Sequence, residues 1–287
     1  MTHSNPNQRL RVILDEIHNL CPWAPVATKV MHLSRKPDVV PSELVSILQT
    51  DAAFTARVLK LCNSAFYGFQ REVSSLQEAG NRLGVSALVN LVLTSCVGRA
   101  FCGEESHNSA RSRRLWEHSV MNALAASWLA DLHGGVDKNV AYTAGLLQNI
   151  GYIVLDSHLQ DLRQEIRAQR LAGKSMLESE RLVVGFDHAQ IGARLLKRWD
   201  FPTVLVDTVL HHHNPKNSEA QPTLTSLVHI AESMTRAIAK GEGLGQLAFA
   251  LSDRALGLSG LTQAQLEGME ENLMHELMRA RDLVQAA

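Results

Sequence analysis

Thirteen of the 287 residues are histidines. Imidazole is the commonest metal ligand in proteins and the side chain whose charge changes most readily near neutral pH. This excess of histidines therefore favours a metal site or an acid–base site. Four of them lie in three separate helical segments, and we take them together with two amides and a later carboxylate as candidate pocket residues: His118, Gln148, Asn149, His188, His212, His213 and Glu232.

Each position also has a purely structural interpretation. His118 lies on an apolar helical segment, which is typical of a hydrogen-bonded core histidine. His188 follows Asp187 at a helix start, where it can pair with the capping carboxylate. The histidine run 211–213 ends a helix, where imidazolium interacts favourably with the helix dipole. The pair at 148–149 can satisfy the last carbonyls of a helix. Only convergence of these segments would make them a pocket.

The net charge is close to zero, with 28 basic and 29 acidic side chains. Nucleic acids and anionic membranes are bound through clustered Lys and Arg, so we expect neither DNA nor a membrane as partner. A helix-turn-helix over residues 42–60 would present Ala52, Ala53 and Phe54 to the bases, so DNA recognition is the least favoured hypothesis. Residues 241–287 carry three basic and seven acidic side chains, which makes the C-terminal segment acidic.

The four cysteines, Cys21, Cys62, Cys96 and Cys102, show no C-x-x-C spacing. Each lies in an apolar or helical stretch, which favours reduced, buried thiols over a disulfide framework. The first thirty residues lack the order of a signal peptide, and no apolar run reaches the roughly 18 residues that span a bilayer. These observations predict a cytoplasmic protein.

Apolar residues recur with the 3.6-residue period in nearly every segment, which predicts an all-α fold. Capping boxes at Ser175 with Glu178 and at Asp187 with Gln190 mark two helix starts. The polar stretch GEESHNSARS suggests a connection between two lobes. We therefore divide the chain into an N-terminal helical lobe (1–102), the connection (103–112), a larger helical lobe (113–240) and acidic C-terminal helices (241–287).

Several segments together resemble the HDOD domain family, from about residue 20 to residue 229. The first lobe contributes LCPWAPVATKVMHL, TDAAFTARVLKLCNSAFYG and SSLQEAGNRLG, and the second contributes WEHS, AGLLQNIG, HAQIGARLLKRW and an HH-x-P run, all in family order. HDOD domains are regulatory relatives of the HD metal-dependent phosphohydrolases and are common in bacterial signalling proteins. The resemblance implies a helical lobe packed on a larger HD-like helical bundle.

Two positions depart from the family patterns. Ala52 stands where HDOD domains often have Pro, a minor change. The consecutive His-Asp pair with which HD enzymes hold their metal is Gln148-Asn149 here. Primary amides are neutral and bind divalent metals more weakly than imidazole and carboxylate. Only His118 and Glu232 remain at the family's four metal positions, so we expect no metal or other cofactor. If a metal binds, its ligands would come from His118, His188, His212 and Glu232.

These observations predict a non-catalytic regulatory protein that binds signalling proteins in trans, with a nucleotide or other small ligand as a further candidate for the vestigial pocket. The alternative is a metal-dependent phosphohydrolase with a shifted ligand set from His118, His188, His212, His213 and Glu232. Phe66, Tyr67 and Phe69 are candidates for partner contact. Their simpler interpretation is packing of the first lobe against the second.

Overall fold

The computed structural model describes residues 24–49, 51–102, 110–158, 162–240, 253–267 and 275. This part of the chain forms helices joined by turns and contains no strand, which confirms the all-α prediction. Cys21 and most of the acidic C-terminal segment lie outside the described residues.

The first lobe is built around its longest helix, which is α4. Its helices are α1 (Ala24–Ser34), α2 (Pro41–Leu48), α3 (Ala52–Cys62) and α4 (Leu76–Cys102). Asp51 caps α3 by accepting a hydrogen bond from the Phe54 backbone N–H at 2.9 Å, as expected for an N-cap aspartate. Gly84 has a φ of 79°, a conformation that favours glycine, and it bends α4.

Helix α4 is also the helix of the described chain that is long and apolar enough to cross a membrane by composition alone. Two thirds of its most apolar stretch (67%) is buried inside the fold. The three preceding helices and the first two helices of the second lobe all pack on it. It is therefore the central core helix.

The second lobe begins at Ala110, slightly before the expected start near residue 113; residues 103–109 of the predicted connection lie outside the described residues. Its helices are α5 (Ala110–His133), α6 (Lys138–Leu147), α7 (Gly151–His158), α8 (Arg163–Leu171), α9 (Met176–Val184), α10 (His188–Arg198), α11 (Thr203–His211) and α12 (Pro222–Lys240). Helices α5, α6 and α12 pack together as the inner layer, while α8 and α9 form a hairpin at the periphery. No residue of α8 is buried.

Two short helices follow, α13 (Asp253–Ser259) and α14 (Gln263–Glu267). Helix α13 packs on α12, and Leu261 and Leu266 belong to the hydrophobic core. This described portion of the C-terminal segment is therefore part of the second lobe's packing.

Buried polar contacts join the two lobes. Between α4 and α6, Thr143 Oγ1 donates to Asn90 Oδ1 at 2.9 Å, and the hydroxyls of Thr94 and Tyr142 are 2.8 Å apart. On another side, Thr28 Oγ1 of α1 donates to the Trp199 carbonyl at 3.0 Å. Because hydrogen-bonded buried polar groups require a fixed geometry, these contacts set the position of one lobe on the other.

Candidate functional site

The start of α10 meets the end of α11 because a short turn joins these consecutive helices. Asp187 caps α10, and the predicted capping box with Gln190 is present, with hydrogen bonds of 2.8 and 3.2 Å. His188 is the first residue of α10, and its ring Nε2 lies 2.9 Å from Nε2 of His213, just beyond α11. The two helix termini thus place the predicted histidines in direct contact.

Three histidines form one cluster. Candidate ligand atoms of His188, His212 and His213 lie within 4.8 Å of one another. The rings of His212 and His213 are 4.0 Å apart between centroids, and those of His188 and His212 are 5.5 Å apart. His188 and His212 are buried, and the side chain of His213 is 17% exposed. The cluster is therefore almost closed to solvent.

Helix α7 passes so close to α10 that one position requires glycine. A Cβ at Gly151 would lie 2.0 Å from the His188 carbonyl oxygen, a distance that no side chain can occupy. This close approach lets the next residue, Tyr152, stack its ring on His188, with centroids 4.2 Å apart. The guanidinium of Arg111, on α5, also lies over the Tyr152 ring, 5.7 Å from its centroid.

Glu180 of α9 is a pocket residue that sequence reasoning missed. Its buried Oε2 accepts hydrogen bonds from the His188 backbone N–H at 2.9 Å and from its ring Nδ1 at 2.7 Å. The Tyr152 hydroxyl also bonds to Glu180; burial, and next the charge of this carboxylate, raise the pKa of Tyr152 well above its ordinary value. Glu178 on the same helix has a capping role, so a second acid on a helix with five apolar residues was the available signal in the sequence.

His212 presents a buried nitrogen with no partner. Its Nδ1 lies 2.7 Å from the Val209 carbonyl, so the ring proton is assigned to Nδ1 and the lone pair to Nε2. Among the described residues, that Nε2 has no hydrogen-bond partner. Burial lowers the pKa of His212 to about 4, although Glu232 opposes this effect. At neutral pH the ring is uncharged.

Glu232 of α12 is an ionised carboxylate inside the protein, 3% exposed. Its Oε2 lies 3.5 Å from His213 Nδ1 and 4.0 Å from His212 Nε2. Its Oε1 forms an ion pair at 2.5 Å with Nη2 of Arg236, one turn further along α12. Burial alone would raise the pKa of Glu232, but the positive charges of His213 and His212 in their protonated forms, and of Arg236, outweigh it and lower the pKa to about 2.

His118 lies near this carboxylate but outside the three-histidine cluster. It is half-buried on α5. Burial lowers its pKa, and the charge of Glu232 partly offsets that shift. The charge of Glu232 therefore acts on His118. A role for His118 as a metal ligand is an expectation from the sequence alone.

Gln148 and Asn149 follow directly after α6 and are buried, at 0% and 2% exposure. Gly145 approaches α5 so closely that a Cβ there would lie 2.6 Å from the Asn122 carbonyl oxygen. Helices α5 and α6 are consecutive, and a tight turn makes them run antiparallel. Gln148 follows Gly145 by about one turn, and Ser119 precedes Asn122 by about one turn, so Gln148 and Ser119 lie at the same level. The amides thus lie at the level of His118.

Both amide atoms of Gln148, together with Asn149 Oδ1 and Ser119 Oγ, lack hydrogen-bond partners among the described residues. The interpretation of Gln148 as a simple helix-end cap therefore fails, because its amide binds no carbonyl. Buried polar atoms in native proteins are almost always paired with protein, water or ligand. These atoms are therefore available to hydrogen-bond water or a polar ligand.

The donor set does not fit the metal position of an HD enzyme. Gln148 and Asn149, which the family resemblance places at the imidazole and carboxylate positions, are neutral amides, and Glu232 is already ion-paired with Arg236. In the three-histidine cluster, both nitrogens of His188 are engaged, Nδ1 by Glu180 and Nε2 by His213. A metal would have to break these contacts, because a ligand atom must offer a free lone pair.

Phe66, Tyr67 and Phe69 lie in the first lobe and do not form an exposed apolar patch. All three are half-buried and pack against the common core. Phe66 and Tyr67 meet edge to face, with centroids 5.1 Å apart, and Arg82 lies 5.3 Å over the Phe69 ring. This arrangement favours the packing interpretation, and their role in partner contact stays a prediction.

Comparison with known proteins gives relatives of the same fold. An uncharacterised protein of Treponema pallidum (strain Nichols) is 31% identical over 231 residues, covering 78% of this chain and 44% of that protein. The chain thus spans less than half the length of this curated relative. A candidate phosphohydrolase from Shewanella amazonensis SB2B has a similar structure, with a TM-score of 0.77, 23% identity and coverage of 99% and 98%.

A candidate signal transduction protein from Marinobacter aquaeolei VT8 also shares the fold, with a TM-score of 0.76 and 21% identity over 96% of this chain and 66% of that one. At these identities the structures establish the architecture alone. The sequence profile of the HDOD domain matches residues 20–215, which is most of the chain and includes His118, the amide pair and the histidine cluster. The chain therefore belongs to the HDOD family.

Proposed function

We propose that this chain is a non-catalytic signal-transduction module that acts by binding partner proteins. The observation that carries the proposal is the loss of metal-binding side chains at the position where HD enzymes hold their metal. Gln148 and Asn149 replace the His-Asp pair, and the remaining carboxylate, Glu232, is held by Arg236 at 2.5 Å. Metal-dependent hydrolysis needs a metal with an open position and a group that orients the attacking water. Neither requirement is met by this set of side chains.

The remaining charges of the site support the same conclusion. Glu180 is bonded to His188 and Tyr152, so it is not free to act as a general base on a bound substrate. A candidate base must reach the proton it removes. Because Glu180 bonds to His188 and Tyr152 and Glu232 pairs with Arg236, the polar groups of the pocket stabilise the fold and leave no free carboxylate for catalysis.

A small neutral or weakly charged molecule in the pocket is the input that we propose for signalling. The unpaired atoms of Gln148, Asn149, Ser119 and His212 offer donors and acceptors without net charge. Such atoms suit a nucleotide base or a similar polar ligand. Differential binding of such a ligand would shift the module between conformations.

Two exposed leucines make the α8–α9 hairpin a second candidate surface for partners, beside the aromatic cluster of the first lobe. Leu171 and Leu182 are 81% and 63% exposed, the highest values for large apolar side chains in the described part of the chain. The hairpin is bound to the pocket, because Glu180 contacts His188 and Arg181 forms an ion pair with Asp187 at 2.6 Å. A partner seated there would therefore act directly on the pocket.

The test of the proposed function is a hydrolysis assay on the purified chain. Phosphomonoesters, linear phosphodiesters and cyclic nucleotides are incubated with the protein in the presence of Mn²⁺, Mg²⁺ or Zn²⁺, with the His212→Gln variant as control. We expect no turnover above that of the variant. Metal-dependent hydrolysis that His212→Gln abolishes would disprove the proposal.

One observation favours the alternative, a metal-dependent phosphohydrolase with a shifted ligand set. His188, His212 and His213 bring candidate ligand atoms within 4.8 Å, with Glu232 beside them. Three imidazoles and a carboxylate match the ligands that zinc prefers. This alternative requires the His188–His213 contact and the Glu232–Arg236 ion pair to open, so it predicts that added Zn²⁺ raises the melting temperature of the wild-type chain.

A further inference from the structure

The guanidinium of Arg236 stands where it controls the charge of the pocket. Arg236 and Glu232 are one turn apart on α12, and their contact of 2.5 Å is the shortest that the carboxylate makes. The Glu232 side chain is 3% exposed, whereas that of Arg236 is 53% exposed. The arginine therefore reaches in from the rim of the site and supplies a positive charge to a buried carboxylate.

The other oxygen of Glu232 faces one ring nitrogen each of His213 and His212. When the His188 ring is neutral and its Nδ1 donates to Glu180, its Nε2 accepts, and His213 donates through its own Nε2 at 2.9 Å. The His213 lone pair then lies on Nδ1, 3.5 Å from Glu232 Oε2. The His212 lone pair on Nε2 lies 4.0 Å from the same oxygen.

In these tautomers the lone pairs of two imidazole nitrogens lie within 4.0 Å of one oxygen of a buried carboxylate. Such an arrangement is electrostatically unfavourable unless a positive charge lies close by. Arg236 provides that charge from the far side of the carboxylate. A divalent ion bound by these nitrogens and this oxygen would also lie close to the guanidinium, and like charges at short range repel strongly inside a protein.

We infer that Arg236 is the resident cation of this site, and that it keeps the histidine–glutamate cluster free of divalent metal. The inference rests on the proposed function, which holds that the wild-type site works without metal, and it adds the residue responsible. The replacement of the His-Asp pair by amides weakens the family's metal position, and Arg236 closes the neighbouring one formed by His212, His213 and Glu232.

The test is zinc binding by the full chain with and without this charge. Arg236→Gln keeps a hydrogen-bond donor near Glu232 but removes the positive charge, and Arg236→Lys retains it. Arg167→Gln is the matched control, because Arg167 is exposed on α8, remote from Glu232 in sequence. Each protein is stripped with chelator and titrated with Zn²⁺, while stoichiometry and affinity are measured by calorimetry and metal analysis. Circular dichroism checks that each variant is folded.

We expect Arg236→Gln to bind one zinc ion per chain at least tenfold more tightly than the wild type, Arg236→Lys and Arg167→Gln. Adding His212→Gln to Arg236→Gln should abolish the gain. The inference would be overturned if the wild type and Arg236→Gln bound zinc with equal affinity, or if neither bound it. If Arg236→Gln does not fold, Arg236→Met gives the same comparison.

The outcomes separate this inference from the proposed function. A metal-free wild type whose Arg236→Gln variant gains no zinc leaves the non-catalytic function intact and removes only the role of Arg236. Metal-dependent hydrolysis by the wild type removes the proposed function itself.

Discussion

Glu180 holds His188 at two points, accepting one hydrogen bond from its backbone N–H at 2.9 Å and one from its ring at 2.7 Å. The first contact satisfies an amide that the N-terminus of α10 leaves free, and the second fixes the orientation of the imidazole. The hairpin of α8 and α9 is thereby attached to the histidine cluster. A movement of the hairpin must change the position or the hydrogen bonding of His188.

Replacing Glu180 by Gln should destabilise the protein by about 2 kcal/mol, because hydrogen bonds to a buried charged group are lost or weakened. Urea denaturation followed by circular dichroism measures this change. Glu165→Gln on the exposed surface of α8 is the control and should change the free energy of unfolding by no more than about 0.5 kcal/mol. Equal effects of the two substitutions would show that Glu180 does not hold the cluster.

Gly151→Ala should destabilise the protein by about 3 kcal/mol or more, since the new Cβ would meet the His188 carbonyl at 2.0 Å and force α7 and α10 apart. Gly257→Ala, in α13, meets nothing within 4 Å. That control should be neutral or slightly stabilising, as expected for Gly to Ala in a helix. Thermal melts of both variants test the close approach of α7 to α10. An unchanged melting temperature in Gly151→Ala would refute it.

The stability of the metal-free protein should fall with acid in a way that depends on His212. Its pKa is lowered to about 4 in the fold, against an ordinary value of about 6.5 in the unfolded chain. The unfolded state therefore binds the proton first, and this contribution to stability is complete above pH 6.5 and is lost as the pH falls toward 4.

The full contribution of this shift is about 3 kcal/mol. His212→Asn removes the titration but keeps a side-chain donor toward Val209, so its stability should vary less between pH 7 and pH 4.5 than that of the wild type. Urea denaturation in chelator-containing buffers across this range measures both curves. Parallel curves would mean that His212 is not protonated on unfolding.

Substitutions at the two candidate partner surfaces should affect different properties, folding stability at Tyr67 and partner binding at Leu182. Tyr67→Ala should destabilise the fold by about 2 kcal/mol, because it removes a packed aromatic ring. Leu182→Ser should change the stability by no more than about 0.5 kcal/mol and should reduce cross-linking to partner proteins in cells. Undiminished cross-linking by folded Leu182→Ser would exclude the hairpin as the contact surface.

Local signals in the sequence predicted much of the fold. The capping boxes at Ser175 and Asp187 are present, and so is the capping carboxylate of Asp51. These features depend on residues three positions apart, which a sequence displays directly.

The contacts that define the site were less predictable. Glu180 reaches His188 only after α9 packs beside α10, and no pattern of spacing reveals such packing. Arg236 and Glu232 are four residues apart on α12, a spacing that the sequence displays, but their place beside the histidines depends on how α12 packs against the end of α11. The sequence identified His188, His212, His213 and Glu232 through family resemblance. It did not reveal that His188 bonds to His213, because that contact depends on the angle between two helices.

The measurement that tests the central claim most directly is the metal content of the chain purified without chelator. Mass spectrometry of metals is applied to the wild type and to Gln148→His/Asn149→Asp, which restores the enzyme pair of the HD fold. The account predicts substoichiometric metal in the wild type and a clear gain in the double variant. One equivalent of divalent metal in the wild type, lost in His212→Ala, would contradict it.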